Sequence, residues 1–288
     1  MDILPQLILN SVIAGAIYGI VALGFNLIYG ATKFFNLSHG VIAVAGAYGF
    51  LFFSKTLGLN LFLSVLIGVD IAAIIGYGLD KLVYLPLRKR KASNMALLIA
   101  SLGAFTALQA VIAILFTSQF QILWQNYSTQ KIYEIYGGVI TQTQVVILMS
   151  GILITTALVF ILKKTLFGKM VRAVSDDEEA AKIIGINTNK IISRVFIIGS
   201  AIAGLAGILV GFDTGVEPTM GMSLLLKGVI ASVIGGVGSI YGGFLGAFLL
   251  GFAENFGIWK ISGEWKDAIA FALLIIFLLF RPQGIMRK

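Results

Sequence analysis

Runs of about 20 apolar residues recur from one end of this chain to the other, and the charges between them fall in a few tight clusters. That pattern leaves little choice of fold. A hydrocarbon core about 30 Å thick takes ~20 helical residues to cross, and in lipid every backbone N–H and C=O must find its partner inside the segment. Charged residues are 12% of the 288, against about 25% in a soluble domain, and 58% are hydrophobic. The expectation is an all-α polytopic membrane protein: one transmembrane domain over residues 1–288, with about 8–9 transmembrane or broken helices. No Cys is present and there is one His, so a disulfide framework and a cysteine or histidine metal cluster are excluded.

Spans are placed near 5–29, 40–57, 61–84, 93–117, 143–162, 191–212, 221–235, 240–257 and 267–280. The net charge of +8 invites a nucleic-acid reading, but its distribution answers it. Most Lys and Arg lie at Arg88-Lys89-Arg90-Lys91, in the island from Lys163 to Arg194, and at Arg281, Arg287 and Lys288. The positive-inside rule puts all three clusters in the cytoplasm, with the N-terminus outside and the C-terminus inside, and no nucleic acid is expected. Segments 118–142, 213–220 and 258–266 then fall outside, with Trp124, Tyr127, Tyr133 and Tyr136 as expected interfacial anchors. Asp2 and the lack of a basic leader argue against a cleaved signal peptide.

The short, Gly-interrupted segments 40–57 and 221–235 match each other: Gly40-Val41-Ile42-Ala43 recurs as Gly228-Val229-Ile230-Ala231. Upstream, Ser11 to Gly15 is echoed by Ser200 to Gly204. A diverged, inverted internal repeat would leave this trace, and chance recurrence of small residues is the alternative. Paired interrupted helices commonly line a transporter's substrate route. The pathway candidates are therefore Asn36, Ser38, His39, Gly40, Lys227 and Gly228. The plainer reading of His39 is an interfacial residue beside Asn36 and Ser38, whose side chains satisfy free backbone N–H groups. Lys227 either faces a wet cavity or snorkels to the interface. Asp70 sits oddly in mid-span, and Glu254 reads as interfacial. No Walker A pattern occurs, since Gly168-Lys169 runs on into Met170, and no acid–base pair is visible.

The island from Lys163 to Gly185 holds a short cytoplasmic helix at about 175–185. Ser175 is read as its cap with Glu178 completing a capping box, Asp176, Asp177, Glu178 and Glu179 as its first turn, and Gly185 as its stop. A helix pinned between two spans suits the passing of a push from a soluble partner into the membrane.

The residues also carry a resemblance. Glu179-Ala180-Ala181 followed by Gly185 is similar to the EAA signature of ABC importer permeases. FNLSHGVIAVAGAY (35–48), RAVSDDEEAAKIIGINTNKI (172–191), GSAIAGLAGIL (199–209), KGVIASVIGGVGSIYGGFLGA (227–247) and LFRPQGI (279–285) together resemble the branched-chain amino acid permease family, specifically its LivH-like subunit. The match covers nearly the whole chain. It implies half of a translocation pathway in a bacterial or archaeal plasma membrane. The other half would be a second, LivM-like permease, with two ABC ATPase subunits on the coupling helices and an extracytoplasmic substrate-binding protein delivering Leu, Ile or Val. No cofactor is implied. The coupling residues would be Ser175, Asp176, Asp177, Glu178, Glu179, Ala180, Ala181 and Gly185, with Lys182 on the contact face and Ile183 and Ile184 filling a groove.

The substrate stays open at this stage, because related permeases serve urea, short amides or other amino acids. A stand-alone channel would explain the glycines and leave the island idle. A secondary transporter would need a coupling carboxylate, for which Asp70 is the candidate. A membrane enzyme would have to use Asp176-Asp177, which lacks a second acidic cluster.

Overall fold

The computed structural model describes residues 3–123 and 131–286. The expected anchors Trp124 and Tyr127, and the basic tail residues Arg287 and Lys288, lie outside the described residues. In chain order the helices are α1 (Leu4–Thr32), α2 (Ser38–Leu51), α3 (Leu61–Leu79), α4 (Leu85–Lys89), α5 (Asn94–Phe116), α6 (Gln142–Lys164), α7 (Leu166–Asp176), α8 (Glu178–Ile183), α9 (Thr188–Thr214), α10 (Met220–Gly235), α11 (Ile240–Gly257) and α12 (Lys266–Phe280). Each expected span coincides with helix. On length and apolarity α1, the continuous segment α3–α4, α5, α6 and α9 can cross a bilayer alone. The expectation for 221–235 and 240–257 as separate crossings changes form. These are α10 and α11, shorter helices that meet at a 113° bend.

The bend has a local cause. Gly236 and Gly238 take φ of +110° and +82°, a region open to glycine at little cost, and Ser239 then caps α11 by accepting the Gly242 N–H at 3.1 Å. A second irregularity joins α3 to α4 through a π-helical turn, Asp80–Tyr84. Pro86 has no N–H to return to the Leu82 carbonyl, and the wider turn absorbs the missing bond.

Every residue of α2 is buried, so this helix is the centre of the bundle and shows no polar face from which its orientation could be read. α9 crosses it at backbone distance: a Cβ at Gly207 would overlap the Ala43 carbonyl, and one at Gly46 would overlap Gly204. Around this centre the contacts correspond in pairs. α1 packs on α10 and α11, and α9 packs on α2 and α3. Along α1, Ser11 meets Gly251 and Gly15 meets Phe248 of α11; along α9, Ser200 meets Gly76 and Gly204 meets Ala72 of α3. Both pairs run antiparallel, and the echoed peptides Ser11–Gly15 and Ser200–Gly204 occupy equivalent places in them.

A hairpin forms the one two-stranded sheet among the described residues. β1 (Ile132–Ile135) pairs antiparallel with β2 (Gly138–Thr141). Tyr136 and Gly137, both at positive φ, make its tight turn. Gln6 at the start of α1 fastens it, accepting from the Val139 N–H at 2.7 Å and donating to the Val139 carbonyl at 3.1 Å.

Close packing at the α2–α9 crossing predicts an asymmetric glycine scan. Gly207→Leu should abolish a folded, monodisperse species in detergent, because added atoms meet backbone that cannot move away. Gly103→Ala, in open space on α5, should hold or raise the unfolding temperature, removing a glycine penalty of roughly 0.5–1 kcal/mol.

Candidate functional site

A cavity of about 700 Å³ opens at the end of the bundle that carries the hairpin. Its walls come from the first half of α1 (Asn10, Tyr18), the last turn of α9 (Asp213, Thr214), the start of α10 (Met220, Ser223, Lys227) and Lys266 and Asp267 of α12. Asp213 is held by the Gln144 amide of α6 at 3.2 Å.

Lys227 forms the polar hub of this wall. Its ammonium contacts Glu254 of α11 at 2.5 Å and Asp267 of α12 at 2.7 Å. The Tyr18 hydroxyl of α1 donates to the second Glu254 oxygen at 2.7 Å. Glu254 is fully buried, so it is not the interfacial residue its place near a span end suggested. Of the readings open for Lys227, the structure gives the cavity wall, as one member of a pair. Burying a carboxylate costs several kcal/mol unless a partner and further hydrogen bonds compensate, and Lys227 and Tyr18 provide both. Asp267 is 71% exposed, and its share of the pair is correspondingly screened. The network ties α1, α10, α11 and α12 together at the cavity.

The candidates at the start of α2 lie elsewhere. Asn36 and Ser38 do not serve backbone N–H groups as expected. The Ser38 hydroxyl donates to Asn36 Oδ1 at 2.7 Å and meets the Tyr84 hydroxyl at 2.8 Å. Leu37 caps α2 with no side-chain bond, and its own N–H donates to Ser101 Oγ at 3.0 Å. His39 is fully buried, not interfacial, with its ring against Gly24. Gly40 packs on Gly221 of α10 and Gly228 on Val21 of α1. Lys227 is thus the one pathway candidate among these that the structure brings to the cavity. Beside the Asn36 cluster, Asp80 binds Arg88 at 2.6 Å and accepts the Ser193 hydroxyl of α9 at 2.6 Å. Asp70, unlike these acids, is exposed at the middle of α3, on the face opposite Gly68, Ala72 and Gly76.

The island from Lys163 divides differently from the expectation. Ser175 does not begin a helix; it lies buried in the last turn of α7, an amphipathic helix capped by Thr165. Asp176 ends α7, and Asp177 is the cap of α8, accepting the Glu179 and Ala180 N–H groups at 2.8 and 3.0 Å. An Asp at this place outcompetes Ser175 because its carboxylate serves two N–H groups at a positive helix end. No capping box forms at Ser175. Glu178 instead pairs with Lys182 at 2.7 Å and accepts the Thr188 hydroxyl at 3.1 Å. Gly185 does end α8, with φ +87°, its N–H on the Lys182 carbonyl and the Ile186 N–H on Ala181, a Schellman closure. Ala181 is buried, while Ile183 and Ile184 are 85% and 73% exposed. This strap lies at the end of the bundle opposite the cavity, and α9 runs from one to the other.

Comparison with known proteins adds a lineage to this geometry. The profile of the family described as branched-chain amino acid transport system / permease component matches residues 7–278. The chain is 32% identical to the high-affinity branched-chain amino acid transport system permease protein BraD of Pseudomonas aeruginosa, over 98% of this chain and 95% of that one. It is also 32% identical to the corresponding permease protein LivH of Escherichia coli K12, over the same shares. Among solved structures, PsaBC from Streptococcus pneumoniae in complex with Fab shares the fold at a TM-score of 0.53 and 16% identity, covering 98% of this chain and 93% of that one.

The Lys227–Glu254 pair makes a testable demand on stability. Lys227→Met should destabilise the protein by about 3–5 kcal/mol, since it strands the fully buried Glu254 carboxylate with only the Tyr18 hydroxyl left to it. Lys227→Met together with Glu254→Leu should recover most of that loss. Thermal unfolding of the single and double variants in detergent checks both, and equal losses in the two would show that the pair is not the unit.

Proposed function

Because the chain belongs to the branched-chain amino acid transport system permease family, we propose that it forms half of the pathway of an ATP-driven importer for branched-chain amino acids. It is a transport permease subunit and not an enzyme. The observation that carries the proposal is the continuity of strap, lever and cavity. α8 presents exposed isoleucines and an acidic first turn, and its Schellman closure leads directly into α9. α9 is 27 residues long, about 40 Å at 1.5 Å per residue, and its far end carries Asp213 and Thr214 into the cavity wall. A displacement of α8 by a soluble ATPase therefore reaches the cavity through one rigid element.

In this reading the strap and Arg88–Lys91 are cytoplasmic, which the excess of Lys and Arg at that end supports. The cavity faces the outside, where a substrate-binding protein delivers its ligand. A second permease of the LivM-like kind closes the other side of the pathway. Asp70 supports a protein partner on the outer face of α3: a carboxylate at a helix centre costs about 2.5–3.5 kcal/mol in lipid, and Asp is too short to snorkel as Lys and Arg do. The outward stripe Leu66, Asp70 and Ile74 is better covered by protein or water than by acyl chains.

The test separates importer from channel. Ile183→Asp with Ile184→Asp should leave the folded protein in the membrane, abolish co-purification of the ATPase subunits, and reduce uptake of labelled leucine to background. Uptake that survives these changes would be that of a facilitator and would refute the proposal. Competition of leucine uptake by Ile, Val and urea then assigns the substrate class.

A further inference from the structure

At the strap end, a slot of about 210 Å³ lies between α1, α6, α7 and α11, well away from the cavity and from the exposed face of α8. Its composition is two-sided. Leu27, Val159, Leu162, Val171 and Ile240 make an apolar wall. Against it stand Lys163 of α6 and Arg172 of α7. Lys163 is held over the Tyr241 ring, 4.7 Å from its centroid, which keeps the ammonium beside the slot. Asp176, one turn on from Arg172, is not part of the lining.

Two further features point to an anion. The N-terminus of the 18-residue helix α11 opens into the slot, and by helix geometry the N–H groups of Ile240 and Tyr241 have no intrahelical acceptor. Ser175 is 6% exposed and lines the slot, and its hydroxyl has no hydrogen-bond partner among the described residues. The hydroxyl faces the slot and is free to bond a ligand oxygen placed there. Close approach of Gly30, where a Cβ would stand 3.2 Å from Ser175 Oγ, leaves the hydroxyl room on that side.

We propose that this slot binds the phosphate of an anionic phospholipid from the leaflet at the basic end of the bundle. Lys163, Arg172, the Ser175 hydroxyl and the α11 N-terminus hold the phosphate oxygens, and the apolar wall takes the glycerol and the upper acyl chain. Basic pockets between transmembrane helices are built to this chemistry, and a free phosphate would make no use of the apolar wall. The lipid staples α7 to α6 and α11, and so fixes the base on which α8 stands.

Native mass spectrometry of the delipidated protein, purified with whatever subunits accompany it, tests this in three arms: phosphatidylglycerol, phosphatidylcholine and inorganic phosphate. Phosphatidylglycerol should be retained in preference to phosphatidylcholine. Retention should fall about fivefold for Arg172→Gln and about fivefold for Lys163→Gln, and should be unchanged for Lys190→Gln outside the slot. Equal retention of the two lipids, or indifference to Arg172→Gln, would overturn the proposal. Displacement of the lipid by millimolar inorganic phosphate would keep the anion site and overturn its assignment to lipid. None of these readouts depends on transport, so they stand apart from the uptake test.

Discussion

The backbone contact between α2 and α9 is the constraint on which the rest of this molecule depends. Helices in lipid gain little from the hydrophobic effect when they associate, so their packing rests on close approach, and close approach requires residues without bulk. Gly46 against Gly204, and Gly207 against the Ala43 carbonyl, bring two helix axes together without side chains between them. α2 is consequently enclosed on every side, and the helices around it are placed by what it leaves open. The correspondence of α1 with α9, and of α10–α11 with α2–α3, follows once one such crossing is fixed. Each half then lays its first helix against an antiparallel helix of the other half, α1 on α11 and α9 on α3.

Because α9 belongs both to that crossing and to the strap, movement at one end is not free to dissipate. The Asp177 cap and the Schellman closure at Gly185 define α8 at both ends, and the Thr188–Glu178 bond links α8 to the first turn of α9. Further along α9, Ser193 is bound to Asp80, and Asp80 to Arg88. Asp80, the centre of this polar lock, is also the first residue of the π-helical turn that follows α3. In the proposed coupling, a helix that transmits displacement is served by stiff contact on one side and an irregular turn on the other. Both are present within a few residues of each other.

How much of this the sequence reveals depends on the range of the interaction. Helical segments were legible because apolar runs are a local property, and every expected span is helix, five of these segments being long and apolar enough to cross alone. The stop at Gly185 was legible for the same reason. The start of α8 was misread by two residues: Ser175 and Asp177 are both competent caps, and the buried side of α7, which takes Ser175 inward, joins the two N–H groups accepted by Asp177 in deciding between them. Asn36 and Ser38 looked like caps because cap chemistry is local, whereas their partner Tyr84 is distant in the chain. Glu254 was placed at the interface by its position near a span end. The pairing with Lys227 joins separate helices, and no spacing rule reaches across the bend between α10 and α11. Lys227 itself was a signal, since a cation in an apolar stretch must find either water or a partner, and here it has both.

The same pair bears on how a pathway can be permissive. A free ammonium in a cavity of this size would bind any carboxylate strongly and hold it. Glu254 and Asp267 remove that option, and Asp213 is committed to Gln144. The wall is left polar, with the Lys227 charge neutralised, and is interleaved with Ile13, Ile17, Val210 and Leu224. For the proposed importer this is the useful condition. Affinity in such a system belongs to the protein that delivers the substrate, and a membrane site that bound it equally well would slow release. A cavity whose buried cation is already held by two carboxylates offers an aliphatic amino acid passage without a deep well at that point.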